Sequence, residues 1–128
     1  MSFINNSYFW VGLGGALGAM GRVGISAFFP SFIFNIPLKI LCVNIIGCFI
    51  AGIVVEFMAF YSNLPTNARA FLIQGLLGGF TTFSAFAIEF GLLYEKESYF
   101  LAILYAILSV VLSIIFFFCG LRLTRILF

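Results

Sequence analysis

The sequence predicts an all-α integral membrane protein with four transmembrane helices. Of its 128 residues, 64% are hydrophobic and only 8% are charged, and the mean hydropathy is +1.25. Soluble domains carry about 25% charged residues, so a soluble enzyme domain is excluded. A transmembrane helix needs about 20 apolar residues. Four such segments are expected, at about residues 8–29, 37–61, 68–94 and 98–121.

The connections between these segments are short and contain turn-forming or polar residues. The first connection begins at Pro30, and Pro37 suits the start of the second helix. The second connection is the polar cluster 62–67, and the third is the charged stretch 95–98. Residues 1–128 are therefore expected to form one four-helix domain with both termini on the same side of the membrane.

The composition excludes several kinds of site. The chain has no His and no Asp, so imidazole chemistry is excluded. Cys42, Cys48 and Cys119 lie in apolar stretches without metal-ligand spacing, as expected of small buried side chains. A net charge of +2 is too small to indicate a nucleic-acid partner. The N-terminus lacks the basic region and the cleavage site of a signal peptide, so none is expected.

The Lys and Arg residues show no bias between the two sides of the membrane. Three lie on the side of the termini and three on the opposite side: Arg69, Arg122 and Arg125, against Arg22, Lys39 and Lys96. Since positive charge normally marks the cytoplasmic side, such a chain could insert in either orientation. Two oppositely oriented copies could then pair into an antiparallel homodimer. The alternative is that misplaced helix ends hide a real bias.

Three pairs of small residues at helical spacing predict close contacts between helices. The pairs are Gly14 and Gly18, Gly47 and Ala51, and Cys48 and Gly52. These contacts could lie between subunits, where a transport route would run if each protomer is too small to hold one. They could equally lie within one protomer, and the spacing leaves both possibilities open.

The third segment contains the run Gly-Gly-Phe-Thr-Thr-Phe-Ser at residues 78–84. Paired Gly weakens a helix, and adjacent Thr side chains compete for its backbone hydrogen bonds. A break here would free carbonyl and amide groups, which persist in lipid only around a cavity, a partner or an ion. Freed carbonyls can coordinate a hard cation. The alternative is a Gly-Gly packing notch in a continuous helix.

Aromatic and acidic side chains share one face after that run. Phe83, Phe86 and Glu89 follow one another at steps of three. The edge of an aromatic ring carries positive potential, so two inward-facing edges could meet an anion without a full positive charge. The alternative is ordinary contact with the core or with lipid, since the chain has 19 Phe residues.

Hydrogen-bond donors dominate the polar side chains within the other spans. Tyr105, Ser109 and Ser113 are spaced four apart and form a hydroxyl stripe, and Asn44 adds an amide. The alternatives are hydrogen bonds back to the preceding turn or between helices. A pathway rich in donors and poor in fixed charge suits a small anion. Fluoride fits best, because only close donors can offset its dehydration, but chloride is not excluded.

Two basic residues lie near the ends of the first two segments. Arg22 and Lys39 could attract anions to a vestibule, or their chains could extend to the lipid headgroups.

Three motifs, in order along the chain, resemble those of the Fluc (CrcB) fluoride-channel family. GGFTTFSAFAIE is similar to the family's GG-x-TTFS-TF, VNIIGCF to VN-x-x-G-SF, and GGALGAMGR to GG-x-x-G-x-x-x-R. The resemblance implies a dual-topology antiparallel homodimer with two parallel pores that conduct fluoride passively. It also implies a structural sodium ion at the dimer centre, held by backbone carbonyls of Gly78 and Thr81 from both subunits. A bacterial inner membrane is the implied location.

The resemblance further implies the side chains of the fluoride pathway. They are Asn44, Thr82, Phe83, Ser84, Phe86, Glu89, Tyr105, Ser109 and Ser113. Asn44 would act as a donor, the edges of Phe83 and Phe86 would face the ion, and Glu89 would form hydrogen bonds near the track.

The chain departs from the family pattern at four positions. Lys39 and Ile40 stand where the family commonly has Gly and Thr, so a vestibule hydroxyl is replaced and a cation gained. Cys48 replaces a Ser, and Ala85 replaces a Thr. Arg22 matches the family Arg and, with Lys39, would line the vestibule.

Two other functions belong to different classes. A proton-coupled exporter of the small multidrug type needs a membrane-embedded acid in the first helix, and the first segment has none. A nonconducting membrane interaction protein would explain the Gly spacings but not the donor stripe. Within transport, proton-coupled fluoride antiport would depend on Glu89. None of these functions, including that of a channel, involves covalent chemistry, so the protein is not expected to be an enzyme.

Overall fold

A computed structural model describes residues 6–128, which are mostly helical. The helices are α1 (Ser7–Ser26), α2 (Lys39–Phe60), α3 (Thr66–Arg69), a π-helix (Ala70–Leu77), α4 (Gly78–Phe80), α5 (Phe83–Glu95) and α6 (Tyr99–Leu127). Strands β1 (Phe32–Ile33) and β2 (Ile36–Pro37) form a short hairpin between α1 and α2. The described part of the chain is thus helical except for this hairpin and the connections.

Three helical stretches of residues 6–128 are long and apolar enough to cross a membrane: Lys39–Phe60, Thr66–Glu95 and Tyr99–Leu127. The second stretch includes α3, the π-helix, α4 and α5. Helix α1 has 20 residues, but six of them are Gly and one is Arg22, so it is less apolar than the other three. Length and composition therefore support three of the four predicted transmembrane helices, and the first span stays a prediction.

The hairpin occupies the connection that the sequence predicts as a loop. Its strands pair antiparallel. The two turn residues, Phe34 and Asn35, have positive φ angles of 51° and 63°. Two such residues in succession match the twist of antiparallel strands. Pro37 therefore belongs to β2 rather than to a helix, and α2 begins at Lys39.

The stretch Thr66–Glu95 is interrupted after Phe80. The eight residues of the π-helix lead into α4. Thr81 (φ −83°, ψ 150°) and Thr82 (φ −149°, ψ 122°) are then extended, and α5 begins at Phe83. The structure therefore contains a break at the Gly-Gly-Phe-Thr-Thr run, and not a packing notch in a continuous helix. A π-helix beside it is also typical of functional sites.

Close backbone contacts hold two pairs of helices together. Helix α2 packs on α6 at Gly52 and Gly120, where an added Cβ at Gly52 would collide with the carbonyl oxygen of Phe117. Helix α1 packs on the π-helix and α4 at Gly14 and Gly18. These small residues therefore make contacts within one protomer, which was one of the two possibilities left open by their spacing.

Two helices end at other positions than predicted. Helix α1 ends at Ser26 rather than near residue 29, and the N–H groups of Phe28 and Phe29 then form turns by donating to the carbonyl oxygens of Ile25 and Ser26. Helix α6 continues to Leu127 rather than ending near residue 121. Its last turns include Arg125, whose Nε and Nη2 donate to the two carboxylate oxygens of Glu56 at 2.9 and 3.1 Å. This pairing with α2 keeps a charged turn helical.

A small buried cluster joins α2, α5 and α6. Its fully buried members are Leu41, Leu93, Ala102 and Tyr105. The cluster lies beyond the break, on the side of α5. It fixes these three helices around the extended residues at 81 and 82, and so determines the geometry of the site.

Candidate functional site

A side chain from α2 forms hydrogen bonds with the break in the stretch Thr66–Glu95. Asn44 Nδ2 donates to the carbonyl oxygen of Thr82 at 3.0 Å, and the Thr82 N–H donates to Asn44 Oδ1 at 2.8 Å. An extended residue within a span lacks the intrahelical bonds of its neighbours, so both backbone groups would otherwise lack partners. The amide therefore replaces two missing hydrogen bonds. Its second N–H takes part in neither of them.

Two carbonyl groups before the break lose their helical donors. In a continuous helix, the carbonyl oxygens of Gly78 and Gly79 would accept hydrogen bonds from residues four positions ahead. The donor for Gly78 would be the Thr82 N–H, which is bound to Asn44 instead. Arg22 Nε donates to the Gly79 carbonyl at 3.3 Å. The Gly78 carbonyl is thus left without a helical partner, while Gly79 gains a cationic one.

Hydroxyl groups cap both helix ends at the break. Thr81 Oγ1 donates to the carbonyl oxygen of Leu77 at 2.9 Å. Thr82 Oγ1 accepts from the Ala85 N–H at 3.2 Å, as an N-cap of α5, and shares a 3.1 Å hydrogen bond with Ser84 Oγ. Because Ala85 donates to a side chain, the Thr81 carbonyl also lacks its helical donor.

An open groove of about 280 Å³ lies beside the break, between α2, α5 and α6. Its lining consists of Asn44, Cys48, Thr81, Thr82, Phe83, Phe86, Ser109, Val110, Ser113 and Ile114. On the α2 wall, Asn44 and Cys48 are one turn apart, and on the α6 wall, Ser109 and Ser113 are one turn apart. Six of the predicted pathway residues are thereby brought together.

A row of aromatic rings runs along the groove. The centroid of the Phe86 ring lies 5.3 Å from that of Phe83 and 5.2 Å from that of Tyr105. The planes of Phe86 and Tyr105 are 27° apart, so these rings stack. Phe83 is 77% exposed in the single chain, whereas Tyr105 is completely buried. The row therefore leads from the open side of the groove into the core.

Two hydroxyl groups of α6 are buried without partners. Among the described residues, neither Tyr105 Oη nor Ser109 Oγ has a hydrogen-bond partner within range. Tyr105 is 0% exposed and Ser109 is 7% exposed. A buried polar group without a hydrogen bond costs about 1–3 kcal/mol. Ser109 lines the groove and Tyr105 lies one turn before it on α6, and unsatisfied buried groups of this kind are typical of a site that binds water or a polar ligand.

The remaining predicted residues lie around the groove rather than on its lining. Glu89 is half-buried on α5, one turn beyond Phe86. Ser84 is exposed and contacts Thr82. Lys39 is the first residue of α2, and Arg22 contacts the break through Gly79. The predicted vestibule role of both basic residues and the hydrogen-bonding role of Glu89 stay predictions.

Some features of the site have no counterpart in the sequence interpretation. Cys48 enters that interpretation only as a departure from a motif, yet it lines the groove opposite Ser113. Its spacing of four from Asn44 is the signal that could have placed it there. The apolar residues Val110 and Ile114 complete the α6 wall, and nothing in their sequence context distinguishes them from lipid-facing neighbours.

Comparison with known proteins gives concordant matches over most of the chain. The family model described as "CrcB-like protein, Camphor Resistance (CrcB)" matches residues 9–121. A "Fluoride-specific ion channel FluC" of Granulibacter bethesdensis is 44% identical over 110 residues, which are 84% of this chain and 86% of the relative. "Fluoride-specific ion channel FluC 2" of Nitrobacter hamburgensis is 38% identical over 120 residues, 93% and 97% of the two chains. A further FluC relative, of Prosthecochloris aestuarii, is 38% identical over 116 residues, 91% of each chain.

The matched range contains the break, the groove and all three apolar helical stretches but for the last turns of α6. Such helices and such relatives together indicate a bacterial protein that crosses its membrane several times. The chain therefore belongs to the CrcB-like protein family of multi-pass membrane proteins.

Proposed function

We propose that the protein is a fluoride-specific ion channel through which fluoride leaves the cytoplasm passively. The observation that carries the proposal is the groove beside the break. Asn44, held by its two hydrogen bonds with Thr82, lines this groove together with Ser109 and Ser113, and most of the lining surface is apolar. The relatives named as fluoride-specific ion channels support the same function.

The donors of the groove suit an anion that must lose its water. A charge can leave water for an apolar site only if hydrogen bonds replace its hydration. The second N–H of Asn44 and the unpartnered hydroxyl of Ser109 are available for this purpose. Among the described residues, no Lys or Arg lines the groove. An anion would therefore be solvated without being held by a full opposite charge, as passage requires.

The aromatic row would guide the ion along the pathway. Ring edges carry positive potential, and Phe83 and Phe86 stand at the open side of the groove. Tyr105, stacked on Phe86, would offer its unpartnered hydroxyl at the inner end of the row. Fluoride would thus exchange weak contacts with ring edges for hydrogen bonds to hydroxyl groups.

We propose that two copies in opposite orientations form the functional unit. The groove is open on one side, and Phe83 is 77% exposed in the single chain. A second copy would cover this side and complete the wall. The equal division of Lys and Arg residues between the two sides supports insertion in both orientations. Each copy would contribute one groove, which gives two parallel pores.

A structural sodium ion at the centre of this dimer fits the backbone at the break. The carbonyl oxygens of Gly78 and Thr81 both lack their helical donors. Residues 6–128 contain no cluster of three or more His, Cys, Asp or Glu that could hold a metal ion. Carbonyl oxygens freed by a broken helix are suitable ligands for sodium in membranes. Gly78 and Thr81 of both copies would hold the ion, and its charge would tie the copies together.

Passive flow is sufficient for protection against fluoride. Hydrogen fluoride crosses membranes as a neutral acid and dissociates in the less acidic cytoplasm. The membrane potential, negative inside, drives the trapped anion outward with about 2.3 kcal/mol per charge per 100 mV. No covalent step and no coupled ion is needed, so the proposed protein is not an enzyme.

The alternative functions have less support. A proton-coupled exporter would need an acid in α1, and Ser7–Ser26 contains neither Asp nor Glu. A nonconducting interaction protein would account for the glycine contacts. It would leave the buried, unpartnered hydroxyls of Tyr105 and Ser109 without a role.

The test is efflux from liposomes that are loaded with potassium fluoride and contain the purified protein. Valinomycin carries the counter-charge, and a parallel preparation holds potassium chloride. We expect rapid fluoride release that depends on valinomycin, without chloride release. Release of both anions would contradict the selectivity, and release of neither would favour the interaction protein. Fluoride release without valinomycin, driven by a proton gradient, would favour antiport.

The sodium ion is tested by replacing sodium with N-methylglucamine throughout purification and reconstitution. We expect the dimer to dissociate more readily in detergent and the efflux rate to fall, with recovery when sodium is restored. If the dimer is equally stable in both cations, the proposed sodium site is contradicted. The proposal of the fluoride pathway would not be contradicted by that result.

A further inference from the structure

We propose that Cys48 is a residue of the ion pathway, and that a small group attached to its thiol closes the groove. The inference rests on the proposed channel function and extends it to a residue that the motifs place in no role. It also makes the protein open to control by thiol-directed reagents.

The position of Cys48 is set by its neighbours on α2. It lies one turn after Asn44 on α2, and it lines the groove together with Ser113 of α6. Ser109, one turn before Ser113, lines the same groove, is 7% exposed and has a buried hydroxyl without a hydrogen-bond partner. The thiol therefore belongs to the set of polar groups that faces a ligand, and not to a packed apolar face.

Helix α2 is closely packed at the two glycines that flank Cys48. Gly52, one turn further and about 6 Å along the helix axis, is in contact with the backbone of α6 at Phe117. On the other flank, an added Cβ at Gly47 would collide with the side chain of Thr81. The groove is the open space that Cys48 lines, so we expect a substituent on its sulfur to extend there.

The chain supplies its own control thiols. Cys42 is half-buried on α2 and does not line the groove. Cys119 is exposed on α6 beside Ile115 and Phe118, on the outer surface of the bundle. Modification of either would leave the groove open.

Methyl methanethiosulfonate is a suitable probe because it is small and uncharged. The thiol loses its proton to water, and the thiolate sulfur attacks the sulfenyl sulfur of the reagent. A mixed disulfide, Cys–S–S–CH₃, forms as the reagent's S–S bond breaks and methanesulfinate leaves with the electron pair. Because the thiolate is the reactive form, a thiol in a wet groove reacts faster than one that faces lipid.

The experiment compares fluoride efflux before and after treatment in three proteins: wild type, Cys48→Ser, and the double variant Cys42→Ser/Cys119→Ser. Mass spectrometry reports the labelled fraction of each Cys. We expect the treated wild type and double variant to lose about tenfold or more of their efflux rate, since a methylthio group on Cys48 would occupy the space between the α2 and α6 walls through which the ion is proposed to pass. The reagent should not change the rate of Cys48→Ser.

Three results would overturn the inference alone: an undiminished rate with Cys48 labelled, equal inhibition of Cys48→Ser, or a Cys48 that stays unlabelled while unfolded protein is labelled. Wild-type liposomes that release no fluoride before treatment would instead overturn the proposed channel function, and the inference with it.

Discussion

Asn44 and Thr82 form two hydrogen bonds across the break, one in each direction, at 3.0 and 2.8 Å. The pair joins α2 to the only two extended residues between α4 and α5. A single amide thus satisfies the backbone that the break exposes and still presents an N–H to the groove. Asn44 therefore has a structural role at the break and a proposed role as a donor to the ion. A test at Asn44 must measure stability and efflux separately.

Asn44→Asp removes both N–H donors of the amide and keeps one acceptor of the pair with Thr82, so the efflux rate and the melting temperature are measured together. The carboxylate still accepts from the Thr82 N–H, but it cannot donate and it brings negative charge into an anion pathway. A hydrogen bond to a charged group contributes about 1.5–3 kcal/mol, so we expect fluoride efflux to fall roughly 10- to 100-fold. Asn63→Asp, in the exposed loop after α2, is the control. Wild-type efflux by Asn44→Asp, with an unchanged gel-filtration profile, would exclude Asn44 as a donor to the ion.

Arg22 and Lys39 are predicted to differ in their dependence on salt. Attraction of anions by an exposed charge is screened within about 10 Å at 0.1 M salt, whereas a hydrogen bond is not. Because Arg22 donates to the Gly79 carbonyl, we expect Arg22→Gln to reduce fluoride efflux equally at low and high ionic strength. Lys39→Gln should reduce efflux only at low ionic strength. If the Arg22→Gln defect disappears in high salt, its vestibule role outweighs its contact with the break.

The sequence predicts the elements of the site better than their arrangement. Hydropathy predicts the three apolar stretches, and helical spacing predicts that Ser109 and Ser113 share a face. The paired Gly and Thr residues raise the possibility of a break, but only the contact with Asn44, 38 positions away, decides between a break and a notch. Residue types give no sign of the π-helix, because its backbone follows from packing against α1. Arg125 lies beyond the predicted end of the fourth segment, and the sequence gives no sign of its contact with Glu56, which is 69 positions away.

Tyr105→Phe tests whether an unpartnered hydroxyl serves the ion. Removing a buried hydroxyl that has no hydrogen bond leaves no other group unpaired, so the melting temperature should stay equal or rise. Fluoride efflux should nevertheless fall, by roughly 2- to 10-fold for one neutral hydrogen bond. Tyr94→Phe, at an exposed position on α5, is the control. A lower melting temperature with unchanged efflux would assign the hydroxyl to the fold.

The Glu56–Arg125 pair is predicted to hold the end of α6 without affecting the ion. Arg125→Gln leaves the mostly buried carboxylate of Glu56 without its two donors, so thermal stability in detergent should fall. The double variant Glu56→Gln/Arg125→Gln should be more stable than the sum of the single losses predicts, since the residues interact. Arg122→Gln, exposed on the same helix, is the control. Additive losses would show that the two residues act independently.

Gly52 is predicted to set the distance between the two walls of the groove. An added Cβ would collide with the carbonyl oxygen of Phe117 and lie 2.8 Å from the amide nitrogen of Leu121, so α2 and α6 must separate. Overpacking of this kind costs about 1–3 kcal/mol. We therefore expect Gly52→Ala to lower both the melting temperature and the selectivity for fluoride over chloride, because a wider groove gives a small ion fewer close donors.

Gly91→Ala is the matched control, because no heavy atom lies within 4 Å of its added Cβ. Replacing Gly by Ala inside a helix without a clash stabilises it by about 0.5–1 kcal/mol, so this variant should melt at an equal or higher temperature and keep its selectivity. If the two variants behave alike, α2 and α6 can accommodate a methyl group between them. The width of the groove would then be set on its other wall, by the contact of α5 with α6.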